Sequence, residues 1–182
     1  MIKNWKYALL MTGTLFSFTA HAQTLQDGKR ALEMERYKEA KSKLAKVLKT
    51  NNNEITNITM GDVYLETGKQ DSAVYYYRQA AAKDAKSAMG MVAAGKAALV
   101  QGNTAEAEKQ FDAALKRSKS KDADVLLQMA AAYFDTDKNL NKAAEHATAS
   151  IVKNRTNPEA YILLGDIYLK QNKGGDAMNN YE

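Results

Sequence analysis

Side chains able to do chemistry are scarce in this chain of 182 residues, and their spacing limits what they could do. There is no Cys, so thiolate nucleophiles, disulfides and Cys-based zinc sites are excluded. Of the two His, His21 lies in a segment read below as removed. His146 follows Glu145 with no second imidazole or thiol to complete a metal or acid–base site. Asp62 and Glu66 stand at i and i+4, a spacing that puts two carboxylates on one helix face. Nothing near them in sequence supplies a nucleophile or an oxyanion donor, so the pair reads as a solvated acidic face. The densest basic run, Lys116-Arg117-Ser118-Lys119-Ser120-Lys121, could meet phosphate, but near a helix end its cations favour the dipole and solubility. Tyr75-Tyr76-Tyr77 could form a stacking site; a packing role is expected instead, with Tyr77 in the core and its two neighbours along a helix seam. The sequence therefore predicts no catalytic residue, no metal site and no cofactor.

Compartment comes from the N-terminus. Met1 to Tyr7 carries Lys3 and Lys6 and no acid, Ala8 to Phe18 is an apolar run, and Ala20-His21-Ala22 is a small-x-small site. Those are the three parts of a secretory signal. The apolar run is about half the roughly 20 residues a bilayer span needs, so no stable membrane insertion is expected after cleavage. Cleavage is predicted between Ala22 and Gln23, giving a signal peptide over 1–22 and an exported protein, periplasmic or secreted. Losing Lys3 and Lys6 leaves 24 basic against 21 acidic residues. That balance is too even to point to nucleic acid.

The elements that must position any site follow from an internal repeat. Gly28, Gly61, Gly95, Ala130 and Gly165 recur at 33 to 35 residues. Three residues after each come Ala31, Tyr64, Ala98, Tyr133 and Tyr168. Later positions hold Ala40, Ala73, Ala107, Ala144 and Ala177, and four beyond those stand Leu44, Tyr77, Phe111, Thr148 and Tyr181. Apolar spacings of three and four predict two helices per unit, as over Ile58 to Leu65 and Ala107 to Ala114, with turns at Gly68-Lys69-Gln70-Asp71 and Gln101-Gly102-Asn103-Thr104. Asn157-Pro158-Glu159 has the cap, first-turn Pro and first-turn acid of a helix start. Glycine inside a helix is unfavourable by about 1 kcal/mol against Ala. The mid-helix Gly61, Gly95 and Gly165 are therefore expected to let the first helix of a unit lie against Ala73, Ala107 and Ala177 of the second. No stretch alternates with period two, so no strands are expected.

These positions resemble those of the tetratricopeptide repeat (TPR), over essentially all of Gln23 to Glu182. Tyr161 to Tyr168 and Gly102 to Phe111 carry the closest likeness. The resemblance implies an all-α protein, an α-solenoid wound as a right-handed superhelix of about five helix-turn-helix repeats. Their approximate bounds are 23–53, 54–87, 88–122, 123–157 and a truncated 158–182. The fourth unit departs, with a turn over Asp135 to Asn141 that reads as two residues longer and Thr148 where an apolar side chain is usual.

In this family the first helices of successive repeats line a concave groove that holds a peptide or protein segment. By position the groove would present Lys29, Leu32 and Glu33, then Asp62, Leu65 and Glu66, then Lys96, Leu99 and Val100. It would continue through Ala131, Phe134 and Asp135 to Asp166, Leu169 and Lys170. Phe134 and Leu99 are expected as apolar anchors, Asp62 and Glu66 as rim acids facing a basic stretch of the partner. Leu32, Leu65, Leu99, Phe134 and Leu169 have a second reading, as seals between neighbouring first helices, and the sequence leaves both open. The Lys and Asn clamp by which some relatives capture a C-terminal carboxylate is absent, because Leu25, Ile58, Val92, Leu127 and Ile162 occupy its places. The expected function is a non-enzymatic interaction scaffold outside the cytoplasm. Its alternative is the adaptor part of a longer envelope protein whose enzymatic or wall-binding part lies beyond residue 182. An open last repeat is expected to fray from about Gly174 and to allow self-association.

Overall fold

A computed structural model describes residues 25–182. The expected signal segment and its Ala22–Gln23 cleavage site lie outside the described residues. Those described form ten helices and no strand. Helix α1 covers 25–33. It is followed by α2 (Tyr37–Thr50), α3 (Glu54–Glu66), α4 (Gln70–Lys83), α5 (Ala88–Val100) and α6 (Thr104–Ser118). Helices α7 (Ala123–Asp135), α8 (Leu140–Lys153), α9 (Pro158–Lys170) and α10 (Gly174–Tyr181) complete the chain. Odd-numbered helices are the first of each hairpin. No helix among the described residues is long and apolar enough to cross a membrane.

Local chemistry sets the punctuation. Each of α3, α5, α7 and α9 starts on a side chain that accepts from a free backbone N–H of its first turn, in order Asn53, Ser87, Asp122 and Asn157. Each hairpin turns on one residue with left-handed backbone, namely Glu35, Gly68, Gly102, Asp137 and Asn172. These lie seven residues after the small residue of each unit. In every case the N–H of that residue bonds to the carbonyl three before it, as Gly68 does to Leu65 at 2.9 Å. Glycine fills this position in only two hairpins; Glu35, Asp137 and Asn172 adopt it with a side chain, at some conformational expense.

Packing inside a hairpin corrects one expectation. What lies over the glycines is the ring four residues beyond the small Ala. A β-carbon on Gly61 would stand 2.5 Å from the Tyr77 ring, one on Gly95 2.3 Å from Phe111, and one on Gly165 2.4 Å from Tyr181. Gly28 meets Leu44 in the same way, at 2.8 Å. A planar ring needs a flat, side-chain-free patch of helix, whereas two small residues facing each other would leave a void. Ala73, Ala107 and Ala177 are buried one turn before the ring.

The fourth hairpin is corrected in register. Its buried positions on α8 are Ala143, Ala147 and Ser150, while Thr148 is exposed and Ala144 and Ile151 are only partly covered. The turn is therefore one residue longer than the others, not two, and Thr148 violates nothing. With Ala130 and Ala147 at the places of the glycine and the ring, the unit lacks a ring there. Tyr133 fills the space, edge-on to Phe111 at 5.4 Å between centroids and stacked on His146 at 5.9 Å. His146 is thus a packing partner, and its burial lowers its pKa from the usual 6.5. The segment expected to fray is helical as α10, where Tyr181 covers Gly165 and donates to Asp166 at 2.6 Å. Of the tyrosine triplet, Tyr77 is enclosed and Tyr76 stacks on Tyr64 at 5.3 Å, but Tyr75 is 57% exposed, outside the seam expected for it.

Candidate functional site

The first helices turn a common face inward, and polar bonds between them define it. Lys96 of α5 is only 2% exposed, yet its ammonium is placed 2.6 Å from Asp62 Oδ1 of α3 and 3.3 Å from Gln128 Oε1 of α7. Tyr77 donates to the same Asp62 oxygen at 2.7 Å, and the Lys96 ammonium lies 5.3 Å from the Tyr77 ring centre. One carboxylate oxygen thus gathers a buried cation and a buried phenol from two repeats. Burial beside Asp62 raises the Tyr77 pKa well above 10, so it remains a donor at physiological pH. Tyr181 and Asp166 repeat the bond in the fifth unit, and Tyr181 is pushed up to about 12, first by burial and then by that bond.

Asp135, at the end of α7, completes the cluster. Its carboxyl is pushed up to about 7, first by desolvation, with Asp62 and Glu66 adding repulsion and Lys96 and Lys170 opposing it. Glu66 is raised as well, by desolvation and by Asp62. On the α9 side the Lys170 ammonium lies 2.6 Å from Asp137 and 4.6 Å from the centre of the Phe134 ring. Lys29 of α1 reaches Glu159 of α9 at 3.1 Å. The arrangement is an inner face with a charged centre, where carboxylates outnumber the ammoniums set against them.

Several residues expected in the groove are placed otherwise than their expected roles require. Leu99 is corrected: at 0% exposure it is enclosed in the core beside Phe111, and it offers nothing to a partner. Lys96 and Asp62 are also corrected, since each is consumed by the other and by neighbouring side chains rather than presented at a rim. Leu32, Leu65, Val100 and Phe134 are partly buried against the hydrophobic clusters and Ala131 is partly exposed; Glu33, Glu66, Leu169 and Lys170 are exposed. Asp135 and Asp166 are partly exposed, the first desolvated and the second held by Tyr181. Gln128 and Tyr77 were missed as members of the cluster. A signal for the second existed. Asp follows the glycine only in the two units that carry Tyr at the ring position, Asp62 with Tyr77 and Asp166 with Tyr181. Lys29 and Lys96 accompany Leu44 and Phe111, which have no hydroxyl to give.

Comparison with known proteins agrees with this architecture. The tetratricopeptide repeat family matches residues 58–123 and, overlapping them, 92–158. No curated protein matches the sequence. Among solved structures the chain is similar to a thermophilic TPR protein of Thermus thermophilus, at 18% identity over 88% of each chain with a TM-score of 0.58. It is also similar to pilF of Pseudomonas aeruginosa, at 21% identity over 90% of this chain and 74% of that one, TM-score 0.52. The Cut9–Hcn1 hetero-tetramer of the APC/C is similar at 17% identity, covering 88% of this chain and 33% of that chain, TM-score 0.54. Identities this low speak for the fold alone. With the repeat matched over more than half its length, the chain belongs to the tetratricopeptide repeat family, whose repeats generally mediate protein–protein binding.

Proposed function

We propose that this protein is a non-enzymatic scaffold acting outside the cytoplasm, which holds a partner segment against the inner face of its first helices. The observation that carries this reading is the pairing of available apolar surface with a carboxylate-rich centre on one face. Leu32, Leu65, Phe134 and Leu169 of the first helices retain surface, and Asp135 and Glu66 of the same set of helices are desolvated carboxyls. A segment with apolar residues and interspersed Lys or Arg fits that face. Its apolar side chains would supply most of the energy and its cations the orientation and rate. Export rests on the basic start, short apolar run and small-x-small site of the first 22 residues.

Phe134 is the anchor to test. Truncation at a binding hot spot removes about 2 kcal/mol or more of affinity, whereas truncation of a large core side chain lowers stability by about 2–5 kcal/mol. Mature protein immobilised and exposed to envelope extract should retain a partner that Phe134→Ala loses by about thirtyfold in affinity, with little change in melting temperature. A variant that melts early yet binds the same partner unchanged when folded would make Phe134 a seal between α7 and α9, and the groove assignment would fall.

A further inference from the structure

In a solenoid each repeat contacts its neighbours, and bonds between first helices here follow that rule with one exception. Lys96 reaches Asp62 and Gln128, 34 and 32 residues away, and Lys170 reaches Asp137, 33 away. Lys29 and Glu159 are 130 residues apart. The Lys29 ammonium, on the first helix of the first hairpin, lies 3.1 Å from Oε1 and 3.4 Å from Oε2 of Glu159, in the first turn of the fifth hairpin's first helix. Among the described residues it is the only side-chain bond that skips the repeats between. It forms only when the array is curled enough to bring α1 to α9, so it spans the mouth of the inner face.

We propose that Lys29 and Glu159 form a clasp across the groove, so that the free protein rests closed and a partner segment enters when the pair opens. This rests on the groove reading above, which it extends to the control of access. Strength and position both suit such a clasp. The pair is part-exposed, with side chains 20% and 43% accessible, and exposed ion pairs typically bias an equilibrium by a factor of about five at most. A bond of that size keeps the closed form populated without locking it. Curvature would yield through small rotations at four successive hairpin interfaces, none of which needs to break its core. A partner cation drawn to Glu159, or a partner carboxylate drawn to Lys29, would compete with the clasp directly and favour the open array.

The absence of Cys makes a direct distance measurement simple. Arg30→Cys on α1 and Ile162→Cys on α9 replace exposed side chains outside the pair, and both can carry nitroxide labels in the full chain. Electron–electron double resonance without any partner should show a short, narrow distance distribution. Lys29→Glu or Glu159→Lys should each raise the ratio of long to short distances by about fivefold. The double reversal Lys29→Glu with Glu159→Lys should restore the short distance, because it rebuilds the pair with its charges exchanged. About 1 M salt, which screens the attraction without adding repulsion, should shift the unreversed protein the same way but less than the single reversals do. Unchanged distances in both single reversals would overturn the clasp, and so would a double reversal that stays open while its circular dichroism and melting match the parent. Partner capture is read separately. If the clasp opens as described but no segment from the extract binds either form, the clasp stands and the groove reading falls.

Discussion

Single side chains in this protein matter chiefly through what they are buried beside. Lys96 would be an unremarkable groove cation by sequence position, but in place it is an enclosed ammonium that neutralises Asp62. Removing one partner of a buried pair leaves the other charge uncompensated and typically destabilises by about 3–5 kcal/mol. Lys96→Met should therefore melt well below the parent, and adding Asp62→Asn should recover part of the loss; thermal unfolding followed by circular dichroism measures both. Asp135 makes stability depend on pH in a defined direction. Folded, it keeps its proton up to about 7; unfolded, it releases it near 3.8. Its contribution is full below the unfolded value and is lost as pH rises through the folded one, and Glu66, also raised, acts in the same sense at lower pH. His146 acts oppositely: its folded pKa is lowered, so its contribution is present above 6.5 and is lost as pH falls through the folded value. The Asp135 window, from about 3.8 to about 7, overlaps that of His146 below 6.5, which opposes it, so with His146 replaced by Gln the melting temperature should be higher at about pH 5 than at about pH 7.5. Asp135→Asn should flatten that difference; if the slope persists in the variant, another group is responsible.

Helix pairs are joined by rings seated on bare backbone, a device repeated in the second, third and fifth hairpins. Gly95 shows what it demands. Alanine would gain about 1 kcal/mol of helix propensity there, yet its β-carbon would stand 2.3 Å from Phe111, closer than real contacts allow. Overpacking of this kind costs about 1–3 kcal/mol, and the ring, 2% exposed between α5 and α7, has little room to retreat. Gly95→Ala should lower the denaturation midpoint despite its better propensity, and Gly95→Ala with Phe111→Leu should fare better than the single change. A rise in midpoint for the single change would mean that α6 shifts freely against α5. The fourth hairpin makes the complementary point. Ala130, Ala147 and Tyr133 share one buried cluster there and Tyr133 stacks on His146, so a unit without the glycine and ring is packed by other side chains.

For the whole molecule, the decisive property is that five hairpins curl until Lys29 of the first meets Glu159 of the fifth, and the groove proposed above would lie on the inner side of that curl. Export would place that groove outside the cytoplasm. Since Trp5, the only Trp, precedes Ala22, protein recovered after cleavage should emit as tyrosine alone, from nine of its ten Tyr. Tryptophan emission from periplasmic or secreted material would refute cleavage after Ala22. Much of this protein is legible in its sequence, because the determining terms are local or recur at a fixed period. Helix starts at Asn53, Ser87, Asp122 and Asn157 follow from one side chain and the N–H groups beside it, and five units in register announce stacked hairpins. The register of α8 was not legible, since Ala143-Ala144 and Ala147-Thr148 offer two adjacent helical faces of similar polarity, and only packing against Tyr133 and Ala130 selects one. Nor was the burial of Leu99 and Lys96, or the union of Lys29 with Glu159. Exposure on an inner face depends on how far the array curls, and curl is the sum of small rotations at four interfaces that no local pattern records. Sequence determined the repeat, its helices and its caps; tertiary structure alone decided which side chains the curvature encloses and which it leaves exposed.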